Sequence, residues 1–305
     1  MRSALFVASL AACASAARLP PLIFPEIGAP MPPFTVERWV NSPALTPEAL
    51  RGKVVLVDFW EYTCVNCIRT LPFVKAWNAR YAPYGLVVVG VHAPEFEFGK
   101  RAENIDRGIR DHGLIYPIAI DNDFKTWTAY RNQAWPAKYL FDARGALRGI
   151  WIGEGNDGQI EGEIRRLLVD AGAANLPTPA PEVAAHRAPP EIAQSPETYL
   201  GTERREEGAV ARVGAWSSAS EYVEHADDEP GKLVLEFLGG EVNLVLAPRG
   251  VAELAVALDG KPAGVVRIDH AGMYRLVQGA GPGKHRLELE TRDLGLRAFA
   301  FTFGP

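Results

Sequence analysis

Cys64 and Cys67 stand three residues apart in the run Trp60-Glu61-Tyr62-Thr63-Cys64-Val65-Asn66-Cys67. A C-x-x-C pair serves one of two chemistries, reversible dithiol-disulfide cycling or half of a four-ligand structural zinc site. Zinc needs a second pair, and the six histidines are scattered, with no second C-x-x-C and no H-x(3 to 5)-H. A redox dithiol is the better fit. Its setting supports it, because Lys53-Val54-Val55-Leu56-Val57-Asp58-Phe59 reads as a central strand buried on both faces. After Cys64 the pattern changes to helical spacing, with Ile68, Leu71, Val74, Trp77 and Tyr81 recurring and Gly85 as a stop. Cys64 therefore falls at a helix N-terminus, where unpaired N–H groups and the helix dipole stabilise a thiolate and lower its pKa from about 8.5 toward about 7. Cys67, nearly one turn further in, is shielded and within reach of a mixed disulfide on Cys64. Pro72 lacks an N–H and bends this helix.

The elements that position the pair alternate. Leu86 to Val91 is a second buried strand, Ala102 to His112 a polar helix, Tyr116 to Ile120 a third strand and Asp123 to Tyr130 a short helix. Ala137 to Phe141 and Leu147 to Ile152 flank the turn Asp142-Ala143-Arg144-Gly145 as a hairpin, and Ile160 to Leu168 is an amphipathic last helix. This order predicts a three-layer α/β domain with a mixed central sheet over residues 25–172, opened by a small hairpin within residues 25–52. Residues 173–197 carry Pro177, Pro179, Pro181, Pro189, Pro190 and Pro196, the composition of an extended linker. Beyond it, Val242/Leu244/Leu246, Leu254/Val256/Leu258, Leu287/Leu289 and Phe299/Phe301/Phe303 alternate with period two, predicting a β-sandwich or jelly roll over residues 198–305. The two domains are expected to fold independently, since 305 residues exceed what one core usually serves.

At the N-terminus, Arg2, an apolar stretch and Ala14-Ser15-Ala16 read as a secretory signal over residues 1–17, while Leu10-Ala11-Ala12-Cys13 resembles a lipobox that would tether the protein through a lipid on Cys13. Either reading removes Cys13 from redox chemistry. Of the chain's three cysteines only the C-x-x-C pair then remains, a working dithiol more readily than a scaffold. A net charge of -5 with both signs interspersed argues against nucleic acid as a partner. No other stretch approaches the ~18 apolar residues that cross a bilayer.

The segment Val57-Asp58-Phe59-Trp60 through Cys67, with Pro72 after it, resembles the thioredoxin active site. More narrowly, Trp60-x-Tyr62-Thr63-Cys64-x-Asn66-Cys67-Ile68-Arg69-Thr70-Leu71-Pro72 is similar to the periplasmic thioredoxin-like domain of the DipZ group, related to the TlpA and cytochrome c maturation thioredoxins. Ser195 to Gly201 and Val242 to Leu246 resemble that group's C-terminal, carbohydrate-binding-like module. The sequence departs from the group in two ways: no membrane carrier domain is expected to be fused to it, and Glu61 replaces a small polar residue. By this resemblance Asp58 is the buried acid that accepts the Cys67 proton, with a pKa raised by its apolar strand. Trp135-Pro136 matches the residue and cis-proline that face the dithiol, the backbone of Trp135 pairing with an extended substrate. Glu95 falls roughly where cytochrome c maturation thioredoxins carry an active-site acid, which competes with a solvated loop position, and His92 reads as a structural histidine. Trp60, Trp135 and Glu95 are thus the expected substrate contacts.

The resemblance implies an extracytoplasmic thiol-disulfide oxidoreductase, a reductase of protein disulfides. Its redox group is the Cys64-Cys67 disulfide itself and no other cofactor is expected. A separate CcdA-like membrane protein is the implied electron donor. A thiol peroxidase is the first alternative, since peroxiredoxins share the fold, although the tandem C-x-x-C argues against it. A binding module with secondary redox activity is another, the sandwich recognising a glycan through Trp216, Tyr222 or Tyr274, although aromatics in such a sandwich are more often core. Copper delivery would call for C-x-x-x-C and a distant histidine, a spacing this chain lacks.

Overall fold

The computed structural model describes residues 24–181, 183, 193–204 and 210–305. The proposed signal segment and Cys13 lie outside these residues.

The first domain runs β1 (Arg38–Val40), β2 (Val54–Trp60), α1 (Val65–Tyr81), β3 (Leu86–His92), α2 (Ala102–Asp111), β4 (Ile118–Ile120), α3 (Lys125–Ala129), β5 (Ala137–Phe141), β6 (Leu147–Ile152) and α4 (Asp157–Asp170). The strands form one mixed sheet in the order β1-β4-β3-β2-β5-β6. β2, β3 and β4 are parallel, and β1, β5 and β6 pair antiparallel to their neighbours. β2 is buried along its whole length, and period two sorts its side chains to the two faces. Val54, Leu56 and Trp60 join Leu71, Val74, Trp77 and Tyr81 of α1, Ile105 and Ile109 of α2, and Ile164, Leu167 and Leu168 of α4. Val55, Val57 and Phe59 pack on the opposite side with Tyr130, Tyr139 and Met31, and Trp127 of α3 leans on that cluster. Three layers follow, with α1, α2 and α4 on one face and α3 with the N-terminal segment on the other.

The expected hairpin within residues 25–52 does not form. β1 is its single strand and pairs with β4 at the sheet edge, where an open ladder was available, while Pro30 makes an isolated bridge to Ala146.

The second domain holds β7 (Thr198–Tyr199), β8 (Val210–Val213), β9 (Trp216–Ser218), β10 (Val223–His225), β11 (Gly231–Leu238), β12 (Glu241–Ala247), β13 (Ala252–Leu258), β14 (Lys261–Ile268), β15 (Gly272–Val277), β16 (Lys284–Thr291) and β17 (Arg297–Gly304). One antiparallel sheet is ordered β15-β12-β17-β10-β9, with β7 on β17, and the other β14-β13-β16-β11-β8. The alternating residues of both, among them Val242, Leu244 and Phe301 against Leu235, Leu254 and Leu287, share one core, which makes the pair a sandwich.

The described part of the proline-rich segment is not a free spacer. Leu176 packs against the first core, Ala180 is fully buried, and the Ala180 N–H donates to Glu161 Oε1 at 2.7 Å. The Arg80 guanidinium grips Thr178, and Ser195 ties on to Leu238 of β11. Proline composition predicts stiffness, but the apolar residues between the prolines decide docking.

The domains also pack on each other. Phe96 and Phe98, from the loop after β3, lie 5.0 and 4.8 Å, ring to ring, from Phe299 of β17, with Tyr199 and Tyr222 beside them. Arg69 of α1 reaches Glu241 of β12 at 3.2 Å, and the Glu97 N–H donates to the Glu221 carboxylate. The two domains thus share an interface, which the expectation of independent domains did not include. Single aromatics in a polar loop carry no periodic pattern that would have revealed the interface.

Candidate active site

β2 and β3 run parallel and end level, Trp60 opposite His92, so the turns that leave them emerge side by side. The first turn carries the dithiol. Cys64 is extended (φ -72°, ψ 106°) and caps α1 with its own sulfur, Sγ accepting the Cys67 N–H at 3.2 Å. Cys64 is half-buried, Cys67 is fully buried, and both are free thiols.

The turn is closed by Glu61. Its buried carboxylate accepts from the Thr63 N–H at 2.6 Å and from the Thr63 hydroxyl at 2.5 Å. This residue, which departs from the group the sequence resembles, thereby has a local role in shaping the loop into Cys64. Its second oxygen lies 3.8 Å from Nε2 of the buried His92. Tyr62 stacks on the His92 ring at 5.7 Å, and α2 closes over Tyr62 at Gly108, where a Cβ would stand 2.5 Å from the Tyr62 Cβ. Only glycine permits that approach.

The Cys64 thiol is not lowered as its helix-end position predicts. Burial pushes it well above the ordinary thiol range, the neighbouring Cys67 and the Glu95 charge push the same way, and the single capping N–H opposes them. Burial likewise raises Cys67, and Asp58 and Glu61 add to it.

Asp58 lies on the α1 side of β2 by the same alternation that places Leu56 and Trp60 there. It is fully buried, and burial raises its carboxyl against the opposing pull of Lys138. Lys138 is its cross-strand partner in β5, with Nζ 3.3 Å from Oδ1. The same ammonium donates to Thr70 Oγ1 at 3.1 Å, and the Thr70 hydroxyl donates to the Cys67 carbonyl at 2.9 Å. Asp58, Lys138 and Thr70 thus form a buried polar line beneath the inner cysteine. Lys138 and Thr70 escaped the sequence reading. A lone lysine inside the apolar strand Ala-Lys-Tyr-Leu-Phe was the one available signal.

The Trp135-Pro136 peptide is cis. Trp135 donates from Nε1 to the Ala93 carbonyl at 3.0 Å and packs on Trp127, which ties the proline loop to the turn after β3. Trp60, expected as a substrate contact, is corrected to a core residue: it is 1% exposed and packs edge-on against His92. Glu95 is no solvated loop residue. It sits between the domains, where the Tyr199 hydroxyl donates to its Oε1 at 2.5 Å and Arg204 reaches the same oxygen at 3.2 Å. Burial, with the Glu197 charge next in weight, pushes its carboxyl up to about 7. Of the three aromatics expected on a glycan surface, Tyr222 packs on Phe299 under the Arg297 guanidinium, Trp216 leans on His225, and Tyr274 is hydrogen-bonded to His270. Among the described residues no three His, Cys, Asp or Glu side chains are grouped to hold a metal ion, and no helix is long and apolar enough to cross a membrane.

Residues 27–150 match the AhpC/TSA family, and residues 193–304 match the family described as the thioredoxin like C-terminal domain. The protein DipZ of Mycobacterium bovis is 36% identical over 296 residues, covering 87% of this chain and 41% of DipZ. The chain therefore spans about two fifths of the length of the DipZ proteins it matches. The thiol-disulfide oxidoreductase YkuV of Bacillus subtilis is 30% identical over 142 residues, 46% of this chain and 95% of YkuV. The thiol-disulfide oxidoreductase ResA of Bacillus thuringiensis is 25% identical over 47% of this chain and 79% of its own length. With a C-x-x-C at the head of α1, a match that spans both domains of DipZ type and one that covers YkuV almost entirely, the chain belongs to the thioredoxin superfamily, among its TlpA- and DipZ-like thiol-disulfide oxidoreductases.

Proposed function

We propose that the chain reduces disulfides of protein partners on the extracytoplasmic side of the membrane, cycling Cys64 and Cys67 between dithiol and disulfide. The observation that carries this reading is the disposition of the two sulfurs. Cys64 caps the helix at the half-open end, and Cys67 is buried one turn behind it, its N–H already on the Cys64 sulfur at 3.2 Å.

In this mechanism the Cys64 thiolate attacks one sulfur of the substrate disulfide, forming a mixed disulfide and releasing the other sulfur as a thiolate. Asp58 takes the Cys67 proton. The Cys67 thiolate then attacks the Cys64 sulfur, so that the Cys64-Cys67 bond forms and the second substrate thiolate leaves. The cis-proline loop at Trp135 offers backbone for an extended substrate segment.

Direction follows from ionisation. A dithiol becomes a strong oxidant when its thiolate is stabilised, whereas burial here disfavours the Cys64 thiolate, which supports a reducing role. Family membership and the apolar N-terminal segment support the extracytoplasmic location, and a CcdA-like membrane carrier supplies the electrons in this reading. Glycan recognition by the sandwich is not part of it, because Tyr222 is engaged in the domain interface.

Insulin-disulfide reduction by the full chain tests the assignment. Cys64→Ser should abolish it, and Cys67→Ser should accumulate mixed disulfides. Trapping by Cys64→Ser instead would reverse the two roles. The AhpC/TSA match favours thiol peroxidase as a second reading. Peroxide consumption with dithiothreitol as reductant, faster than insulin reduction, would establish it.

A further inference from the structure

The two turns that meet at the end of the sheet differ in what covers them. The turn after β2 carries Cys64. The turn after β3 begins with the Ala93 N–H on the Trp60 carbonyl at 3.3 Å and then carries Glu95, which is covered from the second domain. The Tyr199 hydroxyl lies 2.5 Å from Glu95 Oε1 and 3.0 Å from Glu197 Oε2. That hydroxyl has one proton to donate. Two carboxylates on one hydroxyl are both satisfied only when one of them brings a proton of its own and donates it to the phenol oxygen. Arg204 closes the cluster, 3.2 Å from Glu95, with its guanidinium 5.0 Å over the Tyr199 ring.

We propose that the active centre is completed across the domain boundary: Tyr199 and Arg204 of the second domain are positioning residues that hold Glu95 beside the dithiol and donate hydrogen bonds to its carboxylate, so the sandwich domain sets the ionisation of Cys64. This rests on disulfide exchange at Cys64 and Cys67 as the function. The groups facing Glu95 are Glu61 and Cys64 from the β2–α1 turn and Glu197, Tyr199 and Arg204 from the second domain, with Glu203 and Glu221 along the same crevice. Its carboxylate raises the Cys64 thiol, and Tyr199 and Arg204 both favour the charged carboxylate. Proton uptake by Glu95, which titrates at about 7, therefore releases Cys64 toward the thiolate.

The test is the pH profile of Cys64 alkylation by iodoacetamide in the reduced full-length protein, followed on the Cys64 peptide by mass spectrometry. In the wild type the logarithm of the rate should rise with pH as two parallel limbs, the upper one displaced toward slower reaction where Glu95 becomes charged. Tyr199→Phe keeps the ring in the interface and removes the donor, so the break should move up by about one pH unit. Arg204→Gln should move it in the same direction. In a Glu95→Gln background the break should vanish and both second-domain substitutions should have no effect on the profile. A break that stays in place in Tyr199→Phe and Arg204→Gln, or shifts that persist with Glu95→Gln, would overturn the proposal. Alkylation needs no turnover, so a wild type inactive on insulin would count against disulfide exchange while the profile still decides the role of Tyr199 and Arg204.

Discussion

Asp58 and Lys138 face each other from neighbouring antiparallel strands, Nζ 3.3 Å from Oδ1, with both side chains closed off from solvent. Among the described residues neither Asp58 oxygen has a further hydrogen-bond partner, while the Lys138 ammonium also holds Thr70. In the proposed mechanism the pair couples the chemistry of Cys67 to the stability of the sheet, because each ion is the other's counter-charge in a medium that solvates neither.

Removing one partner should therefore separate the two roles. Asp58→Asn should slow resolution of the mixed disulfide at least about tenfold near neutral pH. It should also destabilise the fold by about 3–5 kcal/mol, since Lys138 is left buried and uncompensated. Adding Lys138→Met should recover most of the stability without recovering the rate. Denaturant melts beside single-turnover kinetics measure both, and recovery of the rate in the double variant would take Asp58 out of the proton transfer.

Because burial raises the Cys64 thiol above the ordinary thiol range, its alkylation should still be accelerating at pH 9. The same physics places the reduction potential of the pair nearer the about -270 mV of thioredoxin than the about -120 mV of the oxidant DsbA. Equilibration with a dithiothreitol or glutathione series reads it directly. A potential near the oxidant's would show that the thiolate is stabilised after all and that the protein oxidises its partners.

Glu95 also predicts how stability depends on pH. Its folded carboxyl titrates at about 7 against an ordinary 4.5, so the folded state holds the proton more tightly than the unfolded one between those values. Stability should fall as pH rises through that window and level off above it. Glu95→Gln should remove this component of the curve. Identical pH profiles of the melting temperature for wild type and variant would contradict the burial of Glu95 between the domains.

The interface should behave as core. Phe96→Ala removes a ring that is 4% exposed and packs on Phe98, Tyr199 and Phe299, at a cost of about 3 kcal/mol. A chain ending near Gly172 should melt at a lower temperature than the full chain and bind a hydrophobic dye, since it uncovers Phe96 and Phe98. An unchanged melting transition in the shortened chain would show that the two domains are thermodynamically separate.

Local pattern by itself determined a good part of this protein. The apolar run Val54–Trp60, the change to helical spacing after Cys64, and the period-two segments beyond residue 240 each carry their structure in a few neighbouring residues. The dithiol, its place at the head of α1 and the two kinds of domain could be read for that reason. The immediate surroundings of the sulfurs could not, because they depend on register and docking. Lys138 meets Asp58 only once β5 pairs with β2 in one particular register. Trp60 turns inward because its place in β2 puts it on the α1 face, which its position near the cysteines does not reveal. The helix-end rule predicted a lowered Cys64 thiol, but burial and a neighbouring carboxylate outweigh one N–H donor, and both arise only when the turn is covered. Glu95 receives its partner from 104 residues further along the chain. No periodicity within either segment encodes that contact; the packing of Phe96 and Phe98 on Phe299 brings the two together.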